Sequence, residues 1–204
     1  LYIGVSGDGD TASIGMGQFI HAVRRNLNMI YVVMNNGCYG LTKGQDSATA
    51  DKGSASRKGR PNPFESIDLC STAVQMGAGF VARGFSGDKD HLVPLLKAAI
   101  KHKGFALVDV ISPCVTFNNT GTSTKSYLWV RDHMEATATF DFIPDREEIT
   151  ASYKEGETKA ITLHDGSIIH LYKSDNTHDI TDRRSAIETL EEHRDKGRIL
   201  TGII

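Results

Sequence analysis

At 204 residues the chain is long enough for one sizeable core, or for a core with a small appendage. Its 23 Lys+Arg against 25 Asp+Glu leave a net charge of −2, which gives no reason to invoke a nucleic-acid partner or an anionic membrane surface. Hydrophobic residues make up 39%, a little lean for a free-standing globule, and no apolar run reaches the roughly 18 residues that a membrane span needs.

The chain opens directly on an apolar segment, residues 1–5, with no signal peptide before it. Domains seldom begin inside a core strand, so the start of the natural protein is expected to be missing. Residues 2–6 read as a strand ending in a Gly-rich turn, and 13–27 as a helix with Ile14, Phe19, Ile20, Val23 and Leu27 near helical spacing. Residues 29–34 (MIYVVM) are continuously apolar, as in a strand buried on both faces. A polar stretch over 35–63 follows, and so long a loop implies binding or disorder. Then come a helix over 65–77, a strand over 80–83, a helix over 88–102 and a buried strand over 105–111 (FALVDVI). Strands alternating with helices predict an α/β class: a parallel sheet with helices on both faces, in which 2–6, 29–34 and 105–111 are all central. After residue 115 the pattern changes. Residues 127–134 read as helical, 159–163 and 167–172 as a hairpin around His164-Asp165-Gly166, and 182–196 as a charged helix. This predicts a first domain over 1–115 and a small α+β region over 116–204.

The turn Gly7-Asp8-Gly9-Asp10 sits between a strand and a helix, where backbone N–H groups favour an anion such as a phosphate. GDGDTA also fits the dinucleotide pattern G-x-G-x-x-A. That fingerprint needs an acidic residue at the end of the next strand, and here the strand ends in Asn35-Asn36. Carboxylates in the phosphate turn make sense where a cation bridges them to the phosphate. A carboxylate, an amide oxygen and a backbone carbonyl, with diphosphate oxygens and water, would complete the octahedron of Mg²⁺. Taken alone, Asn35-Asn36-Gly37 reads as an ordinary turn. The pairing of GDG with NN at the next strand end is more specific than either half.

That pairing resembles the thiamine-diphosphate motif shared by decarboxylases, acetolactate synthases and oxoacid oxidoreductases. The resemblance implies Asp8 and Asn36 as side-chain ligands of Mg²⁺ and Cys38 as a ligand through its backbone carbonyl. It implies Gly7, Gly9 and Asp10 at the diphosphate, with Tyr39, Gly40 and Leu41 also binding the cofactor. HAVRRN (21–26), YGLTKGQ (39–45) and ISPCVTFN (111–118) are similar to the β subunit of 2-oxoacid:ferredoxin oxidoreductases, closest to the 2-oxoglutarate type. The likeness runs over about residues 1–175 and implies a thiamine-diphosphate-binding, pyrophosphate-type domain over 1–115, its N-terminal part missing. It departs at GQDSAT, where many relatives carry Pro before the Thr.

The family's activity is oxidative decarboxylation of a 2-oxoacid to acyl-CoA and CO₂, with electrons passed to ferredoxin. The implied partners are an α subunit, ferredoxin, the 2-oxoacid and coenzyme A, in a heterodimer or a dimer of heterodimers. The acidic residue that activates the aminopyrimidine ring is expected from another subunit. Cys114, in Ser112-Pro113-Cys114, is implied as one ligand of a [4Fe–4S] cluster in the complete protein. One thiolate cannot hold such a cluster, so its reading from the sequence alone is a partly buried thiol. Lys43 is implied at the substrate carboxylate, beside the plainer reading of a solvated loop that also covers Gln45. His21, on the first helix, is open to helix packing, an Arg-linked role or a catalytic one, and Arg24 and Arg25 to a partner subunit or solvent. Cys38, Cys70 and Cys114 are odd in number and widely spaced, which does not suit a disulfide framework and suits a reducing cytoplasm. The alternatives are a pyruvate or branched-chain 2-oxoacid:ferredoxin oxidoreductase, a non-oxidative thiamine-diphosphate lyase or synthase, and a non-catalytic subunit that keeps the fold.

Overall fold

Apolar strands alternating with amphipathic helices fold into one principal sheet in a computed structural model, which describes residues 1–54, 60–137, 149–154, 157–163, 166–172, 181–197 and 199–204. In chain order the elements are β1 (Tyr2–Gly7), a π-helical turn (Asp10–Ile14), α1 (Met16–Arg24), β2 (Met29–Asn35), β3 (Cys38–Tyr39) and β4 (Gln45–Asp46). They continue with α2 (Leu69–Gln75), β5 (Phe80–Phe85), α3 (Lys89–Lys101), β6 (Phe105–Ile111), α4 (Tyr127–His133), β7 (Met134–Ala136), β8 (Thr158–Thr162), β9 (Ile168–Tyr172), α5 (Arg183–Asp195) and β10 (Ile199–Ile203).

The six-stranded sheet runs β1-β2-β6-β5-β10-β7. The first four strands are parallel, and β10 is antiparallel to β5. Every residue of β6 is buried, as its unbroken apolar run requires. The period of two divides that run between two cores. Phe105 and Leu107 join Val33, Val81, Leu69, Cys70, Phe19 and Leu190 on the face covered by α1, α2 and α5. Ala106, Val108 and Val110 join Ile30, Leu92 and Leu96 on the face covered by α3. Helices on both faces of a largely parallel sheet are the predicted class.

One predicted feature is corrected. β1 is not central: it pairs with β2 alone and forms an edge of the described sheet. Its side chains are open, with Tyr2 at 78%, Ile3 at 57% and Val5 at 67% exposure. An apolar run states that a strand needs cover and cannot state which element supplies it. Two helices are shorter than predicted. The first begins as a π-turn, closed by Gly15 N–H on Asp10 O, and leaves Ile14 exposed. The second starts only at Leu69, because Asp68 caps it by accepting from Ser71 N–H.

The long polar stretch carries the small β3–β4 hairpin. Past residue 115, α5 packs beside α2, while β10 and β7 extend the principal sheet, so the pattern change marks no break in it. β8 and β9 form the predicted antiparallel pair, and His164 and Asp165 of its turn lie outside the described residues. No helix among the described residues is long and apolar enough to cross a membrane.

Candidate functional site

β1 and β2 run side by side with Gly7 opposite Met34, so their carboxyl ends deliver Asp8 and Asn36 to the same place. Ligands in open α/β sheets bind outside such strand ends. Asp8 is 1% exposed. Its Oδ1 accepts from the Asn36 backbone N–H at 3.3 Å, and its Oδ2 accepts from the Ser47 hydroxyl and from Thr49 Oγ1 at 2.6 Å. The Asn36 side-chain oxygen is held in an Asx turn by the Cys38 N–H at 3.0 Å. The Asn36 backbone carbonyl accepts from Asn118 Nδ2 at 2.7 Å. Gly37 has φ +74, and a Cβ there would lie 2.7 Å from Asn118 Nδ2, so this turn requires glycine.

On the other side, Gly9 is already helical at φ −65 and ψ −38. The first N–H groups of a helix have no acceptor within it and can face an anion. Tyr39 closes over the turn. Its hydroxyl donates to Gly9 O at 2.9 Å, and a Cβ on Gly9 would meet its ring at 2.4 Å. Asp10 accepts from Ser6 Oγ.

The donor set fits a hard cation. Carboxylate, amide and carbonyl oxygens are the ligands that Mg²⁺ takes, and Asp8 Oδ1 and Asn36 Oδ1 each accept a single hydrogen bond here and keep a lone pair. Among the described residues no group of three or more His, Cys, Asp or Glu side chains is arranged around a metal.

The structure brings Asp8, Gly9, Asn36, Cys38 and Tyr39 together. Leu41, 99% exposed, and Lys43, exposed with φ +81, stand instead at the tip of the β3–β4 hairpin, with Gln45 accepting from Thr42. His21 and Arg24 are exposed on α1, and Arg25 is exposed at its C-cap. Cys114 is half-buried just beyond β6, at the same sheet end as Asp8, with its Sγ 4.0 Å from where a Gly40 Cβ would lie. Burial first, then the neighbouring Cys114 thiol, pushes the Cys38 thiol up to about 12. Cys70 is fully buried, and that burial also raises its thiol well above the usual range. In the cofactor-free chain a thiol reagent is expected to label Cys114 at least about tenfold faster than Cys38 or Cys70. Peptide mapping by mass spectrometry reads this, and equal labelling of all three would contradict the placement.

Sequence reasoning missed the residues behind Asp8. Asn35 Nδ2 donates to Asp109 Oδ1 at 3.0 Å, Asp109 Oδ2 takes Arg83 Nε at 3.0 Å, and Arg83 reaches Asp68 at 2.6 Å. Burial pushes the Asp109 carboxyl up, more than Arg83 and Asn35 pull it down. Burial also opposes ionisation of Asp68, yet the Arg83 guanidinium and the Ser71 N–H hold its carboxyl below the usual range. The signal was present: a charge inside an apolar strand, Asp109 in FALVDVI or Arg83 in FVARGF, needs a buried partner.

The largely parallel sheet with helices on both faces, carrying a Gly-rich turn and an oxygen-rich donor set at adjacent strand ends, defines an open α/β protein. Residues 2–110 match the family described as thiamine pyrophosphate enzyme, C-terminal TPP binding domain, and the chain belongs to that family. It is 47% identical over 117 residues to a 2-oxoacid:ferredoxin oxidoreductase subunit beta of Sulfolobus sp, covering 57% of this chain and 38% of that one. It is 40% identical over 119 residues to the 2-oxoglutarate oxidoreductase subunit KorB of Mycobacterium tuberculosis, covering 56% and 31%. Among solved structures it resembles the 2-oxoglutarate:ferredoxin oxidoreductase from Magnetococcus marinus, determined with 2-oxoglutarate, coenzyme A and succinyl-CoA bound. The TM-score is 0.71 at 31% identity, over 97% of this chain and 53% of that chain. The chain thus spans under two fifths of these two curated relatives and about half of the solved one.

Proposed function

We propose that the chain is the thiamine-diphosphate-binding part of a 2-oxoacid:ferredoxin oxidoreductase β subunit, with 2-oxoglutarate as its oxoacid. The observation that carries the reading is the buried Asp8 carboxylate facing the Asn36-Gly37-Cys38 turn at adjacent parallel strand ends. Asp8 and Asn36 hold Mg²⁺ through side-chain oxygens and Cys38 through its carbonyl, while Gly7, Gly9 and Asp10 present backbone to the diphosphate. Tyr39, packed on Gly9, Gly40 and Leu41 complete the cofactor contacts. When bound, thiamine diphosphate supplies the nucleophilic carbon and the electron sink for decarboxylation.

Lys43 meets the substrate carboxylate as a compact cation. An α subunit supplies the acidic group at the aminopyrimidine, and coenzyme A takes the acyl group. Cys114 is one ligand of a [4Fe–4S] cluster whose other thiolates come from outside this chain, and ferredoxin receives the electrons. Residues 1–115 form the cofactor domain and 116–204 the β subunit's C-terminal region. Three free thiols support a reducing cytoplasm.

The test is ferredoxin reduction by the full β subunit with its α partner. Reduction that requires 2-oxoglutarate and coenzyme A is expected, with pyruvate and branched-chain oxoacids at least about tenfold poorer in kcat/KM. Preference for one of those would move the substrate, and carbon–carbon lyase or synthase turnover without ferredoxin would overturn the reading.

A further inference from the structure

A chain of polar groups leads from Asp8 into the sheet. Thr49 is 1% exposed, and its Oγ1 lies 2.6 Å from Asp8 Oδ2 and 2.9 Å from Asn35 Oδ1. Asn35 passes the chain to Asp109, and Asp109 to Arg83 and Asp68. Ser47 also donates to Asp8 Oδ2 and touches Thr49; the single Thr49 proton serves the carboxylate, its shorter contact, while Asn35 Oδ1 lies beside the same hydroxyl. Thr49 and Asn35 border a cavity of about 220 Å³ that Arg83, Asp109 and Trp129 also line.

The two oxygens of Asp8 are treated differently. Oδ2 receives two hydroxyls, whereas Oδ1 receives one long N–H bond from Asn36. A carboxylate saturated on one oxygen and nearly free on the other is turned to present the free one. We propose that Thr49 is a positioning residue for the cation ligand: its hydroxyl proton, given to Asp8 Oδ2 alongside that of Ser47, holds this oxygen back so that Oδ1 faces Mg²⁺. The inference rests on Asp8 being that ligand. Ordering the carboxylate before binding removes a cost from the binding step. Partners that orient first-shell ligands typically change metal affinity by about 10- to 100-fold when removed.

The experiment is calorimetric titration of Mg²⁺ into the β subunit, in its complex, at saturating thiamine diphosphate. Thr49→Val, near-isosteric without the hydroxyl, is expected to weaken Mg²⁺ by about tenfold or more, and Thr49→Ser to stay within about threefold of the parent. Should the valine variant not fold, Thr49→Cys, similar in size with a far weaker donor, is expected to lose about fivefold. Asp8→Asn is the control for the underlying reading. If Asp8→Asn abolishes Mg²⁺ binding while Thr49→Val stays within about twofold, the positioning role is overturned and the site stands. A lowered ligand-free melting temperature with unchanged Mg²⁺ affinity overturns it as well, since that is a purely structural role. If Asp8→Asn leaves Mg²⁺ affinity unchanged, the site reading fails and takes this proposal with it.

Discussion

Replacing Asp8 with Asn is expected to weaken Mg²⁺-dependent binding of thiamine diphosphate by more than about 100-fold, beyond the loss that follows removal of a supporting partner. The amide keeps the shape of the side chain and can still meet Ser47, Thr49 and the Asn36 N–H. What it removes is the negative charge that would face the proposed cation. The fold should survive, because β1 is an edge strand and the principal cores lie on β2, β5 and β6. Calorimetry with and without Mg²⁺, beside a circular-dichroism melt, separates the two effects. Parent-like affinity in a folded variant would remove Asp8 from the site.

The largest stability effect is expected at Arg83. Its side chain is 11% exposed and joins Asp109, 1% exposed, to Asp68, 27% exposed. The Asp109 arm is therefore the desolvated one, and the Asp68 arm is partly screened by solvent. Removing one member of a buried ion pair leaves an uncompensated charge and costs about 3–5 kcal/mol. Arg83→Met should lower the melting temperature at pH 8 by roughly 10 °C for a domain of this size.

The pH dependence has a definite sign. In the parent, Asp68 has a lowered carboxyl, so its contribution is present above the unfolded carboxylate range and is lost as pH falls through the folded value. Asp109 has a raised carboxyl, so its contribution is present at low pH and is lost as pH rises through the folded value. Without Arg83, burial raises both carboxyls against the Asn35 amide at Asp109 and the Ser71 N–H at Asp68. The variant should then recover part of its lost stability as pH is lowered from 8 to 5. A melting deficit that is the same at both values would show that no buried charge had been stranded.

The strand and helix pattern was legible where one covalent segment carries its own signal. β6 has the bounds its apolar run predicts, and α3 falls within one residue of its predicted ends at each side. The pairing of GDG with NN was legible because both motifs stand at ends of strands whose order an α/β pattern dictates. The position of β1 was not, since apolar faces do not name their neighbours. The late start of α2 escaped because Glu65, Ser66 and Ile67 continue the apolar–polar pattern, while Ile67 N–H in fact bonds Ala48 O and Ser66 Oγ bonds Thr49 O. Ser47 and Thr49 escaped for a related reason. Their bonds reach Asp8 across 39 and 41 positions, and nothing local distinguishes them from other hydroxyls of a polar loop.

The central claim is that the carboxyl ends of β1 and β2 hold a metal-bridged diphosphate. A crystal of the β subunit in its complex, grown with thiamine diphosphate and with Mn²⁺ in place of Mg²⁺, tests it most directly through the anomalous signal of the metal. The account predicts one peak within coordination distance of Asp8 Oδ1, Asn36 Oδ1 and the Cys38 carbonyl, with the diphosphate against the Gly9 and Asp10 N–H groups. A diphosphate bound elsewhere, or a metal peak that avoids Asp8, would contradict it.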